Sequence, residues 1–160
     1  MTQRKISVFD KLGTLIPGYR GYAIRDEKRN DDKKIRDIIA TKIQKAETDI
    51  IRLQQLLIRK NEIQLSQEWE FIRKALNTLM SKIKNAAYGE SSFFSDDQIR
   101  ETELDQICQI DLELAEKVDG CLSEVAKHLD EMEVPVSCLT QINYFEELIQ
   151  KRSLFIKNFK

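Results

Sequence analysis

Proline and glycine are scarce in this chain: 160 residues hold two prolines and five glycines. So few breakers leave few places to turn, which speaks against a fold of many short strands. No run approaches the roughly 18 apolar residues of a membrane span, so no transmembrane helix is expected. The three cysteines, Cys108, Cys121 and Cys138, are odd in number and widely spaced. That pattern gives neither a disulfide framework nor a zinc knuckle, and buried free thiols suit a reducing compartment. The N-terminal stretch from Met1 to Asp10 lacks the apolar core of a secretory signal, and the expected location is cytoplasmic. One histidine, His128, is too few for a di-iron bundle site, which needs two Glu-x-x-His pairs. No phosphate-cradling glycine motif, HExxH or Gly-x-Ser-x-Gly occurs.

What is present is charge and helical periodicity. Charged residues make up 33% of the chain, above the globular average of about 25%, beside 41% hydrophobic residues. In the first long segment Ile39, Ile43, Ala46, Ile50, Leu53 and Leu57 follow one another in steps of four and three, a heptad seam. A second seam runs Trp69, Ile72, Leu76, Leu79, Ile83. A third runs Leu104, Ile107, Ile110, Leu114, Val118, Cys121, Val125, and a fourth includes Leu139, Ile142, Phe145 and Ile149. Asn30 can cap the first helix, with Asp31 and Asp32 at its positive end; an earlier start near Ala23 is the alternative, since residues 24–29 hold no breaker. Asn61 to Ser66 reads as a turn with Ser66 as the next cap; one helix continuing through Leu57, Asn61, Leu65 and Trp69 is the alternative. Gly89 reads as a C-terminal cap, and Ser95 with Gln98 as a capping box. Gly120 interrupts the third helix, and a close helix crossing is its expected reason. The predicted fold is all-α: four long amphipathic helices in an up-down-up-down bundle over residues 23–160, with an N-terminal arm over residues 1–22.

The net charge of −1 hides segregation. Residues 1–30 carry seven Lys/Arg against three Asp/Glu, and residues 89–135 carry three against fourteen. An acidic helix packed beside basic ones is the main reading; a basic partner for the acidic face is the alternative.

The segment Gly13–Tyr22 concentrates three glycines, one proline and two tyrosines. Long helices need no such turn, so Tyr19, Arg20 and Tyr22 are candidate partner-binding residues, joined by Phe93 and Phe94 in a serine-rich loop. Of that pair, one ring is expected to tuck inward; an exposed second ring would mark a contact site. Pro17-Gly18-Tyr19-Arg20-Gly21-Tyr22, with Ala87-Tyr88-Gly89 and Phe93-Phe94 further on, resembles an uncharacterised family of small bacterial helical proteins with a Pro-Gly-Tyr-x-Gly-Tyr motif. The likeness spans about the first 115 residues in layout. It implies no activity, cofactor or catalytic residue.

His128 lies between Glu124 and Glu131 on one side of a helix and reads as a surface histidine among acids rather than a metal ligand. Cys121 sits on the apolar seam, two turns from His128, and reads as a core thiol. Arg20, Arg25, Lys28, Arg29, Lys33, Lys34 and Arg36 interleave with acids, which speaks against nucleic acid as partner. No catalytic, cofactor or metal residue is assigned. The expected function is non-enzymatic and works through protein contacts or self-association, as a scaffold, adaptor or assembly subunit. The second expectation is a peripheral protein on an anionic membrane surface, held by Phe9, Leu12, Leu15 and Ile16 with Lys5 and Lys11 beside them, although docking of that patch onto the protein's own bundle is the favoured reading of the patch. The third is an enzyme with an unrecognised site between helices.

Overall fold

A computed structural model describes residues 7–86, 88, 91–95, 99–133 and 136–159. Among them the chain forms five α-helices and no strand. Helix α1 (Val8–Leu15) opens on a capping box: Ser7 Oγ accepts the Asp10 N–H, and Asp10 Oδ2 accepts the Ser7 N–H. Pro17 follows its last turn and stops it.

Helix α2 (Lys28–Arg59) starts earlier than Asn30-Asp31-Asp32 suggests. A 3-10 turn, Arg25–Glu27, leads straight into it. Asn30 is therefore inside the helix, and Asp31 bonds elsewhere. Lys60–Glu62 form the turn to α3 (Ile63–Lys84), with Asn61 at φ 62°. Asparagine tolerates that left-handed conformation. Ser66 does not cap α3 but lies within it, where its carbonyl accepts Gln54 Nε2 at 3.1 Å.

Helix α3 ends at Lys84, short of the expected Tyr88-Gly89 stop, and Gly89 lies outside the described residues. Arg36 Nη1 donates to the Lys84 carbonyl at 2.9 Å, satisfying one acceptor of the last turn. A second 3-10 turn, Ser92–Phe94, precedes α4 (Glu101–Glu131). Ser95 does not cap that helix; Glu103 Oε2 accepts the Arg100 N–H instead, and Gln98 lies outside the described residues. Met132, at φ 57°, ends α4 before α5 (Val136–Lys157).

Helix α2 packs on α3, and α4 on α5; α2 also packs on α4, α3 on α5, and α1 on α4. Lys42 pairs with Asp119 while Lys60 reaches Met132, so α2 and α4 run in the same direction. A simple sequential bundle would set α3 beside α4, a pair absent from these principal contacts.

One apolar cluster joins all five helices, and Leu12, Ile16, Tyr19 and Tyr22 belong to it. Residues 7–22 are thus built into the core of the helical body rather than extending from it. Trp69, Ile72 and Leu76 are buried on the α3 seam, as the periodicity predicts.

The close crossing expected at Gly120 is absent. A Cβ placed there meets nothing within 4 Å, whereas one at Gly21 would stand 2.9 Å from the Phe9 ring in a backbone at φ +65°. Gly120→Ala is therefore expected to raise the unfolding free energy by about 0.5–1 kcal/mol through helix propensity. Gly21→Ala is expected to lower it. Thermal melts followed by circular dichroism check both signs; a Gly120→Ala variant less stable than wild type would show that the glycine has a partner or a role of its own.

Candidate functional site

Three charged residues occupy positions that the helical spacing reserves for apolar ones. Asp111 falls between Ile107 and Leu114 on α4, in steps of four and three. Arg152 falls between Ile149 and Ile156 on α5, in steps of three and four. Asp32 stands three residues before Ile35 on α2. All three are buried, and Arg152 is 0% exposed. An unpaired buried charge is very costly, so such groups must find each other.

They do so through the N-terminal tyrosines. Arg152 Nε donates to Asp111 Oδ1 at 2.7 Å. Its Nη2 donates to the Tyr22 hydroxyl and its Nη1 to the Tyr88 hydroxyl, each at 2.7 Å. Nη1 also stands 2.9 Å from Asp32 Oδ1, at ion-pair distance but without hydrogen-bond alignment, so that oxygen has no hydrogen bond. The other Asp32 oxygen accepts Arg36 Nε at 3.0 Å. Asp111 Oδ2 accepts two phenols, Tyr22 at 2.6 Å and Tyr19 at 2.7 Å. Arg152 thus engages α4, α2, Tyr22 and Tyr88 from α5, using the fan of donors that only a guanidinium offers.

The turn that delivers the tyrosines has its own support. Asp31 accepts the backbone N–H of Arg20 at 2.9 Å and of Tyr22 at 3.0 Å. Lys34 Nζ donates to the Gly18 carbonyl at 2.9 Å. Gly18, Gly21 and Tyr22 all have positive φ, which accounts for the two glycines. Tyr22 adopts this conformation without a glycine's freedom, held by its edge contacts to Tyr19 and Phe93 and by its hydroxyl.

Burial dominates the electrostatics. It drives the Tyr19 phenol far above its ordinary pKa, and the neighbouring Asp111 carboxylate adds to the effect. Tyr22 is raised well above its usual value by burial; Arg152 opposes the shift and Asp111 reinforces it. Burial also raises the Asp31 carboxyl, against the pull of its two backbone N–H donors. Both phenols therefore stay protonated as donors, and Asp111 is the acceptor they share.

The structure corrects the expected contact surface. Of the five candidates, Tyr19, Tyr22, Phe93 and Phe94 are buried, and only Arg20 is exposed. Both phenylalanine rings turn inward: Phe93 packs edge-on against Tyr22 and Phe94, and Arg29 lies 4.5 Å over the Phe94 ring. The tyrosines and Phe93 meet in one buried cluster. Arg152, Asp111, Asp32 and Asp31 were missed. Charge on an apolar seam was the signal that could have found them.

Other constellations are weaker. His128, Glu131 and Glu133 bring one ligand atom each within 4.8 Å of one another, the one such group among the described residues. His128 Nδ1 lies 2.8 Å from the Glu124 carbonyl. A groove of about 530 Å³ between α2 and α4 is floored by Ala46, Leu122, Val125 and Leu129 and spanned by the Lys42–Asp119 ion pair at 2.6 Å. Among the described residues that pair is a direct charge contact between acidic α4 and basic α2.

The chain matches no family model, no curated protein and no solved structure.

Proposed function

We propose that the protein is a non-enzymatic helical scaffold, adaptor or assembly subunit that works through contacts with other protein chains or with a second copy of itself. The observation that carries this reading is the sealing of its densest set of ionisable groups. Asp111, Tyr22 and Arg152 are each 0% exposed, so the cluster holds the fold together and offers no substrate a way in. Meanwhile the α2–α3 hairpin leaves Ile51, Ile58, Ile63 and Phe71 exposed, Phe71 at 69%. Large apolar side chains gathered on one hairpin are the raw material of a contact surface. In this reading the four long helices form an up-down-up-down frame locked at one end by residues 1–22, in the cytoplasm, with no call for a metal, cofactor or nucleic acid.

The membrane-surface alternative is weakened, because Leu12 and Ile16 are buried and so two of its four apolar anchors are used internally. No helix among the described residues is long and apolar enough to cross a membrane.

Ile58→Glu and Phe71→Glu test the reading. Both side chains are exposed, so stability should stay within about 0.5 kcal/mol of wild type. Self-association in light scattering, or recovery of the partner that co-purifies with the wild-type protein, should fall. If both variants retain every association that wild type shows, this face is not the contact surface.

A further inference from the structure

We propose that Cys121 and Cys138 are a redox-active dithiol that closes to a disulfide under a hydroperoxide, clamping the first turn of α5 to the middle of α4. Their sulfurs lie 3.4 Å apart across the α4–α5 interface, seventeen residues apart in sequence. A disulfide needs about 2.05 Å, so closure requires a movement of little more than an ångström. Both thiols are free. Cys138 stands in the first turn of α5, close to the α4–α5 connection, where a small shift disturbs least of the helix.

The environment distinguishes the two sulfurs. The two sulfurs share one hydrogen bond in which either can donate; with Cys138 as donor, the bond lowers the Cys121 pKa and raises that of Cys138. Cys121 is therefore the attacking thiolate and Cys138 the resolving thiol. Both are buried, but Gly120 precedes Cys121 with open space where its Cβ would stand. A groove of about 420 Å³ lined by Gly120, Thr140 and Gln141 runs between the same two helices beside the thiols, neither of which lines it, so a peroxide entering there reaches Cys121 through a local opening of the α4–α5 seam. Cys108 provides an internal contrast. Its Sγ faces the Tyr19 hydroxyl at 3.5 Å and the Gly21 carbonyl at 3.6 Å, and burial pushes its pKa up to about 11.

The chemistry balances with hydrogen peroxide as oxidant. The Cys121 thiolate attacks one peroxide oxygen: an S–O bond forms, the O–O bond breaks, and the departing hydroxide takes up a proton. Cys138 then attacks the sulfenic sulfur of Cys121. The S–S bond forms, the S–O bond breaks, and water leaves with the Cys138 proton. Two thiols lose two electrons in all, and one peroxide becomes two waters. A dithiol reductant reverses the bond by exchange.

The test treats the folded, full-length protein with hydrogen peroxide, then unfolds it, alkylates free thiols, and maps them by mass spectrometry. The expected product has lost two hydrogens, carries a Cys121–Cys138 linkage, leaves only Cys108 alkylated, and returns to three alkylated thiols with dithiothreitol. Its thermal midpoint should lie several degrees above that of the reduced form. Cys138→Ser should give Cys121 sulfenic acid, trapped by dimedone, and no disulfide. Three alkylated thiols after treatment, a bond involving Cys108, or over-oxidation of both cysteines without an S–S bond would each overturn the proposal.

Discussion

Replacing Arg152 with methionine is expected to lower the unfolding free energy by about 3–5 kcal/mol, the usual cost of removing one partner from a buried ionic group. Methionine retains much of the stem volume, so packing contributes little to the loss. What changes is that the fully buried Asp111 loses the donor at 2.7 Å, and Asp32 loses the guanidinium at 2.9 Å and keeps its bond to Arg36. The hydroxyls of Tyr22 and Tyr88 lose a donor as well. A native domain has about 5–15 kcal/mol to lose, so the variant should unfold at a much lower urea midpoint. Arg152→Lys should rescue only part, because one ammonium cannot reach three acceptors and the Asp32 carboxylate at once. A methionine variant within about 0.5 kcal/mol of wild type would mean that the cluster is no keystone.

The second large effect lies in the N-terminal turn. Tyr22→Ala is expected to cost about 3–5 kcal/mol, as for other buried aromatics cut to alanine. It removes a ring packed on Tyr19 and Phe93, and it leaves Arg152 Nη2 without its acceptor. Tyr19→Ala should cost less, since Tyr22 still donates to the same Asp111 oxygen. Because the two rings touch, the double variant should fall short of the sum of the single effects. Helix content followed on heating measures all three. A double variant that melts like wild type but loses its partner would return these tyrosines to the role of contact residues.

Much of the helical framework was legible because the seams are regular. Ile39 to Leu57 and Trp69 to Ile83 keep a three-four rhythm, and both are core. Helix ends were read less well. Asn30, Ser66 and Ser95 look like caps, yet α2 begins through a 3-10 turn, α3 begins through the left-handed Asn61, and α4 is capped by Glu103. Several residues near each boundary can cap or turn, and the sequence alone does not rank Asn30, Ser66 and Ser95 against Asn61 and Glu103.

The site was half legible. Gly18 and Gly21 do mark a special turn, and Tyr19 and Tyr22 are its key side chains. Their direction was misread because an amphipathic ring serves a surface or a core equally well. What decides is Asp111, nearly ninety residues away, with Arg152 further on. Both were passed over because a seam is traced through its apolar members. A charge on the seam deserved more weight than the polar tip of a tyrosine.

The central claim is that Tyr19 and Tyr22 are sealed donors locking residues 7–22 into the helical body. Ionisation of the phenols tests it most directly, by absorbance near 295 nm in a Tyr88→Phe/Tyr144→Phe variant that leaves only these two. A free phenol titrates near pH 10. Both folded-state values are raised, so the stability they contribute is fully present below about pH 10 and is lost as pH rises above it. The account predicts no ionisation in the native protein through pH 10, then a single step in which phenolate absorbance appears together with loss of helical circular dichroism. Reversible ionisation of either phenol near pH 10 with the helices intact would contradict it.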